Sequence, residues 1–281
     1  MIANLESGLS GARKITELIQ PMRATMSVLD SIIEGVREDL AARRLSLHDL
    51  QERLDGAPAP IDPHASLKGG LISVIAEVKR SSPSKGVLAE ITDPAALAQT
   101  YEEAGASVIS VLTEKRRFGG SLEDLTAVRS AVKIPILRKD FMIDEYQFYE
   151  ARAYGADVVL LIVAALSAHQ LKDYYEMATE LGMASLVEVH THQELERAME
   201  IQPRIIGVNS RNLKTLAVDQ RAFADLIPEI PENVIRVAES GISTRDEVES
   251  AQSCGADVIL VGEALVRAGD PRSALQTLRG L

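Results

Sequence analysis

The chain has 281 residues, 46% of them hydrophobic and 25% charged, an ordinary globular composition with enough length to bury a large core. Its net charge of −11 argues against nucleic acid or another polyanion as the main partner, and the single cysteine, Cys254, excludes an intramolecular disulfide framework and fits a reducing compartment. The longest uninterrupted apolar run, 158–166, has strand length and is too short to span a bilayer. With no basic-then-apolar signal pattern at the N-terminus, a cytoplasmic protein without membrane partners is expected.

Residues 1–25 differ in texture from the rest of the chain and are expected to be a dispensable N-terminal extension, ahead of one domain over 26–281 with a helical preface over 26–66. Ser27 and Asp30 form a capping-box-like start, and Val28, Leu29, Ile32, Ile33, Val36 and Leu40 fall on one helical stripe. A second short helix is predicted from a Ser46 cap through Leu54, with a Pro- and Ala-rich loop over 56–63 after it. Beyond residue 70, eight apolar strand-like segments are centred near Val74, Val108, Ile136, Val159, Val187, Ile206, Ile235 and Ile259. Helical stretches such as 94–104, 122–131 and 168–181 separate them. Gly105, Gly155, Gly182 and Gly255 each stand where a helix ends just before a strand, the left-handed position that glycine fills best.

Eight strand–helix units in about 210 residues predict an α/β fold of the closed (β/α)8 TIM-barrel class. An open doubly wound sheet competes, but it favours a G-x-G-x-x-G turn after the first strand, where this chain has Glu77-Val-Lys-Arg-Ser-Ser-Pro.

A barrel places its active site at the C-terminal strand ends. Those ends carry Glu77, Lys79 and Arg80; Glu114 to Arg117; Arg138 and Lys139; Glu188 and His190; Asn209 and Arg211; Glu239; and Glu263. So many charges of both signs on one rim suggest acid–base chemistry on an anion more than a structural ion-pair network. Ser240-Gly241 and Gly262 come directly after the last two strands, where barrels commonly bind phosphate through backbone N–H groups.

The strings Ile75-Ala-Glu-Val-Lys-Arg-Ser-Ser-Pro-Ser, Phe118-Gly-Gly-Ser-Leu, Leu137-Arg-Lys-Asp-Phe, Leu186-Val-Glu-Val-His, Gly207-Val-Asn-Ser-Arg-Asn-Leu and Ala238-Glu-Ser-Gly-Ile resemble the indole-3-glycerol-phosphate synthase family over about residues 26–281. The resemblance implies a carboxy-lyase of tryptophan biosynthesis that needs no metal or organic cofactor. In its reaction 1-(2-carboxyphenylamino)-1-deoxyribulose 5-phosphate closes a ring and loses CO2 and water. It implies Lys139 as general acid, with a pKa lowered by Arg138 and other cations, and Lys79 as carboxylate binder. Glu77 and Glu188 become the candidates for proton transfer in dehydration, with their roles undivided. Asn209 would position Glu188, with Arg211 alongside, and Glu239 would orient Lys79 or Lys139. Phosphate would rest on Ser82, Ser240, Gly241 and Gly262, and Phe118 and Phe141 would line the anthranilate pocket.

Glu263 is expected to turn away from the phosphate. The Glu188, His190, His192 cluster looks metal-like, but the strand ends there and Thr191 or His192 reads as a helix cap. The run Lys115 to Arg117 is a solvated face, an anion guide or a mobile lid. Two rival readings remain: a phosphoribosylanthranilate isomerase, whose Cys–Asp pair would need a cysteine on the rim, and a non-catalytic phosphate-binding scaffold. Oligomeric state is not legible.

Overall fold

Eight short segments rich in branched aliphatics alternate their side chains between two environments, and together they close into a ring. The computed structural model describes residues 27–68, 71–213 and 215–281; the expected extension over 1–25 lies outside them. The strands are β1 (Ser73–Val78), β2 (Val108–Leu112), β3 (Ile136–Lys139), β4 (Val158–Ile162), β5 (Ala184–Val189), β6 (Ile205–Asn209), β7 (Ile235–Glu239) and β8 (Val258–Val261). Each pairs in parallel with the next, and β1 pairs with both β2 and β8, so the sheet has no free edge. The open-sheet alternative is thereby excluded.

Strand side chains alternate with period two, so each strand feeds two cores. Val74, Ala76, Ile109, Val111, Val159, Leu161, Val187, Ile206, Ala238 and Ile259 point outward and join the shell beneath the helices. Ile75, Val108, Leu137, Leu160, Leu186, Ile205, Val237 and Leu260 point inward and fill the barrel. The inward register, continued to the C-terminal ends, reaches Glu77 and Lys79, Lys139, Glu188, Asn209, Glu239 and Gly262.

The preface forms α1 (Val28–Arg43) and α2 (Leu47–Gly56). Ser27 and Asp30 make the expected reciprocal capping box, and Ser46 caps α2. Leu29, Ile32 and Val36 of α1 join the inner core, so this helix rests on the catalytic end of the barrel. A single turn, His64–Leu67, buries Leu67 in the same core, and Lys68 Nζ donates to Asn233 O just ahead of β7. That turn therefore closes the opposite end.

The shell helices are α3 (Pro94–Glu103), α4 (Leu122–Ala131), α5 (Tyr146–Ala153), α6 (Ala168–Glu180), α7 (His192–Met199), α8 (Arg221–Leu226), α9 (Arg245–Ser253), α10 (Glu263–Arg267) and α11 (Pro271–Arg279). Gly105, Gly155, Gly182 and Gly255 all take positive φ, between 77° and 101°, as the helix-to-strand junctions require. Cys254 caps α9 at its C-terminus within that shell. No helix among the described residues is long and apolar enough to cross a membrane.

Candidate active site

A cavity of about 540 Å³ opens at the C-terminal end of the barrel. It is lined by Glu77, Lys79, Ser82, Phe118, Lys139, Phe141, Glu188, Asn209, Arg211, Glu239, Ser240, Gly241 and Gly262, every site residue that the sequence pointed to.

Lys139 stands at its centre. Its ammonium lies 3.0 Å from Glu239 Oε2, 3.8 Å from Glu188 Oε2 and 3.9 Å from Glu77 Oε2. Burial alone would pull the lysine pKa down, but the three carboxylates together outweigh it and hold the ammonium well above its usual range. The expected depression does not occur, because period two turns the neighbouring cation away. Arg138, fully buried, points outward, where it binds Asp140 and Glu150 at 2.9 Å each and donates to the Gln147 carbonyl. Arg80 likewise leaves the rim to pair with Asp124.

The carboxylates differ in their surroundings. Burial raises the Glu77 pKa, but Lys79 at 2.6 Å and Lys139 bring it below the usual range. Ser110 Oγ sits 3.5 Å from its other oxygen. The Glu188 pKa is pushed up by burial yet ends at about 2, because His190, Lys139 and Asn209 all favour the anion. Asn209 Oδ1 accepts from the Arg211 backbone N–H at 2.9 Å, which leaves its amide nitrogen for Glu188. Glu239 is raised to about 7, first by burial; Lys139 opposes this and the Glu188 charge adds to it. It contacts Lys139 rather than Lys79.

Two other walls surround this charged floor. Phe118 and Phe141 pack at a tilt with ring centroids 6.3 Å apart and form an apolar wall with Ile32 of α1. Opposite them, Ser240 and Gly241 take left-handed φ of 69° and 72° after β7, and Gly262 brings bare backbone to the cavity after β8. Ser82 Oγ is buried there with no hydrogen-bond partner among the described residues. Glu263 does not turn away as expected; it lines this wall, held by Lys85 at 2.6 Å and Arg267 at 3.3 Å, two cations that offset its charge toward an anion. Neither cation lies in a strand register, so periodicity could not have found them.

His190 stands beside this floor. Its ring does reach Glu188, with Nε2 3.3 Å from Oε1, while Nδ1 lies 2.9 Å from Glu194 Oε2. His192 departs to Glu229, and Thr191 caps α7. In the run Lys115 to Arg117, Arg116 grips Glu38 and Asp39 of α1, and Arg117 donates to Ser31. Gly207 was also missed. It occupies an inward position of β6, where a Cβ would collide with Glu239 Oε1. A glycine inside a strand is the kind of signal that marks such a close approach.

A closed (β/α)8 barrel with a lysine–carboxylate cluster between an aromatic wall and a glycine-lined wall defines a barrel site suited to acid–base chemistry on a small anion. The family model described as indole-3-glycerol phosphate synthase matches residues 29–278. Among relatives that carry that name, the protein of Micrococcus luteus is 57% identical over 261 residues, covering 90% of this chain and 97% of its own. That of Kineococcus radiotolerans is 58% identical over 262 residues, covering 90% and 95%. A crystal structure of 3-hexulose-6-phosphate synthase, 17% identical with a TM-score of 0.60 over 74% of this chain and 99% of that one, shares the fold alone. The chain belongs to the indole-3-glycerol phosphate synthase family and is a decarboxylating lyase of tryptophan biosynthesis acting on a phosphorylated small molecule.

Proposed function

We propose a division of labour for ring closure of 1-(2-carboxyphenylamino)-1-deoxyribulose 5-phosphate. The observation that carries it is the Lys139 ammonium, within 3.9 Å of three buried carboxylates on the cavity floor. Held charged by those carboxylates, Lys139 is a loaded proton donor to the ribulose carbonyl as the aryl carbon attacks it. Lys79, paired with Glu77, binds the substrate carboxylate before it leaves as CO2. Dehydration needs one proton delivered to the departing hydroxyl and one taken from the ring carbon. Glu188, held ionised beside Asn209, takes the base role; Glu77 with Lys79 serves the hydroxyl.

Asn209 orients Glu188, and Glu239 orients Lys139. The aromatic ring packs against the apolar wall of Phe118 and Phe141. The phosphate rests on Ser82, Ser240, Gly241 and Gly262, with Arg211 beside them; Arg211 reaches Ser84 Oγ at 3.1 Å across the mouth. The reading keeps the enzyme in the cytoplasm and without cofactor or nucleic acid, in line with its net charge of −11. An isomerase using a Cys–Asp pair is disfavoured, since Cys254 lies in the helical shell and not on the rim.

The test is fluorescence-detected indole formation by the purified chain in the presence of chelator. Lys139→Ala is expected to lower kcat at least about a thousandfold while substrate affinity stays within about tenfold, because the donor acts in the transition state. More than about a tenth of kcat retained would remove Lys139 from the acid role.

A further inference from the structure

The glycine-lined wall carries two cations that the phosphate seat described above does not use. Lys85 and Arg267 both line the cavity, each 48% exposed, and both turn to one carboxylate. Glu263 Oε1 lies 2.6 Å from Lys85 Nζ and 3.3 Å from Arg267 Nη1, so a single oxygen occupies both. Burial works against ionised Glu263, but Lys85, Arg267 and Lys79 bring its pKa below the usual carboxylate range. Its charge is therefore present at neutral pH.

Lys85 belongs to a short hairpin in which Ser81–Ser82 pairs with Gly86–Val87, and its backbone N–H donates to Ser82 O at 3.3 Å. Ser82 Oγ, buried without a partner among the described residues, belongs to the same hairpin. Glu263 and Arg267 open and close α10, directly after Gly262. The pair of Lys85 and Glu263 thus joins the two stretches of chain that supply Ser82 and Gly262 to the seat. Arg211 reaches the hairpin from the other side, with Nη1 3.1 Å from Ser84 Oγ, and has no carboxylate partner among the described residues. We propose that Glu263 is a counter-anion built into the phosphate seat: it competes with the phosphate of substrate and product for Lys85 and Arg267, and so limits how tightly that phosphate is held.

A phosphate that draws on either cation has to share it with Glu263 or displace it. Ion pairs this exposed shift an equilibrium by about fivefold or less, so displacement is open to a dianion with three acceptor oxygens. Substrate and product carry the same phosphate, because the bonds that change lie at the other end of the molecule. A grip common to both lowers KM and slows product departure without raising kcat. Without the Glu263 charge, Lys85, Arg211 and Arg267 would be three cations with no carboxylate partner among the described residues. The sign of the effect separates this role from a structural one. A Glu263 that merely clips the hairpin through Lys85 would, when lost, loosen the seat and weaken phosphate binding.

The counter-anion rests on the proposed phosphate seat, and inhibition of the full-length enzyme by sn-glycerol 3-phosphate distinguishes the two. Glu263→Gln removes the charge and keeps an oxygen that Lys85 can reach. At low ionic strength the inhibition constant of this probe and the KM for substrate should both fall about two- to fivefold, with no rise in kcat. Salt at about 0.5 M should erase the difference. Lys85→Met should raise the inhibition constant, and in its background Glu263→Gln should lose at least about half of its effect. An unchanged or raised inhibition constant in Glu263→Gln would overturn the counter-anion while Ser82→Ala and Arg211→Met still weaken the probe, as would full additivity with Lys85→Met. If Ser82→Ala and Arg211→Met also leave the probe untouched, the phosphate seat itself is wrong and the counter-anion falls with it.

Discussion

Gly262 shows how little room the catalytic floor has. A Cβ there would lie 2.5 Å from Glu77 Oε1 and 3.0 Å from Glu77 Cβ, while the backbone, at φ −128°, is not left-handed. Gly262→Ala should therefore act on kcat through Glu77, with any effect on the phosphate seat read separately in KM. The fold should lose about 1–3 kcal/mol of stability, as expected of mild overpacking. The kcat should fall about 10–100-fold, since a displacement of about 1 Å in a reacting group costs that much. Steady-state kinetics beside a urea titration would show the split; a fall in stability with kcat untouched would mean that Glu77 relocates without consequence. The same scale explains the misjudged lysine. Adjacency in sequence suggested that Arg138 would depress the pKa of Lys139, yet adjacent strand residues face opposite sides of the sheet. The groups that set the charge of Lys139 come from β1, β5 and β7.

At the scale of elements, α1 is joined to the floor by a buried charge network. Arg138 is shared by Asp140 and Glu150, leaving one carboxylate in excess, and Arg43 from the last turn of α1 supplies the second cation at 3.0 Å from Glu150. Removing one partner of a buried pair strands the other charge. Arg43→Ala should cost about 1–3 kcal/mol, less than the full penalty because Arg43 is 30% exposed. Arg116→Ala, which breaks the exposed clamp to Glu38 and Asp39, should cost much less and lose its effect in salt. Denaturant titrations of both variants at low and high salt would decide; equal costs would mean that the buried network carries no more weight than the surface clamp. Strand order, helix caps and junction glycines were legible because each rests on local chemistry repeated along the chain. The link between Arg43 and Glu150 was not, for it joins residues 107 apart through a packing direction that no period encodes. The six strand-end strings named the floor and its walls, whereas Lys85 and Arg267 enter from a loop and a helix outside those strings.

Over the whole molecule, a chain of net charge −11 must attract a substrate that is itself anionic. The barrel-end cavity is lined by five cations, Lys79, Lys85, Lys139, Arg211 and Arg267, and five carboxylates, Glu77, Asp140, Glu188, Glu239 and Glu263. It is balanced where the molecule is not, and Arg211, with no carboxylate partner among the described residues, supplies the attraction at its mouth. Added salt should screen that attraction and lower kcat/KM several-fold between low ionic strength and about 0.5 M, with kcat nearly constant. A kcat/KM insensitive to salt would show that capture does not depend on this local field.

Gly207 and Gly262 carry a consequence for anyone moving this chemistry to another barrel. The two positions are hollows in the mould: one holds Glu239 and the other holds Glu77, and neither carboxylate fits over a methyl group. Grafting only the lysines and glutamates onto a host with ordinary side chains at those two addresses would force both acids off their seats. The transplant has to carry the vacancies along with the charges.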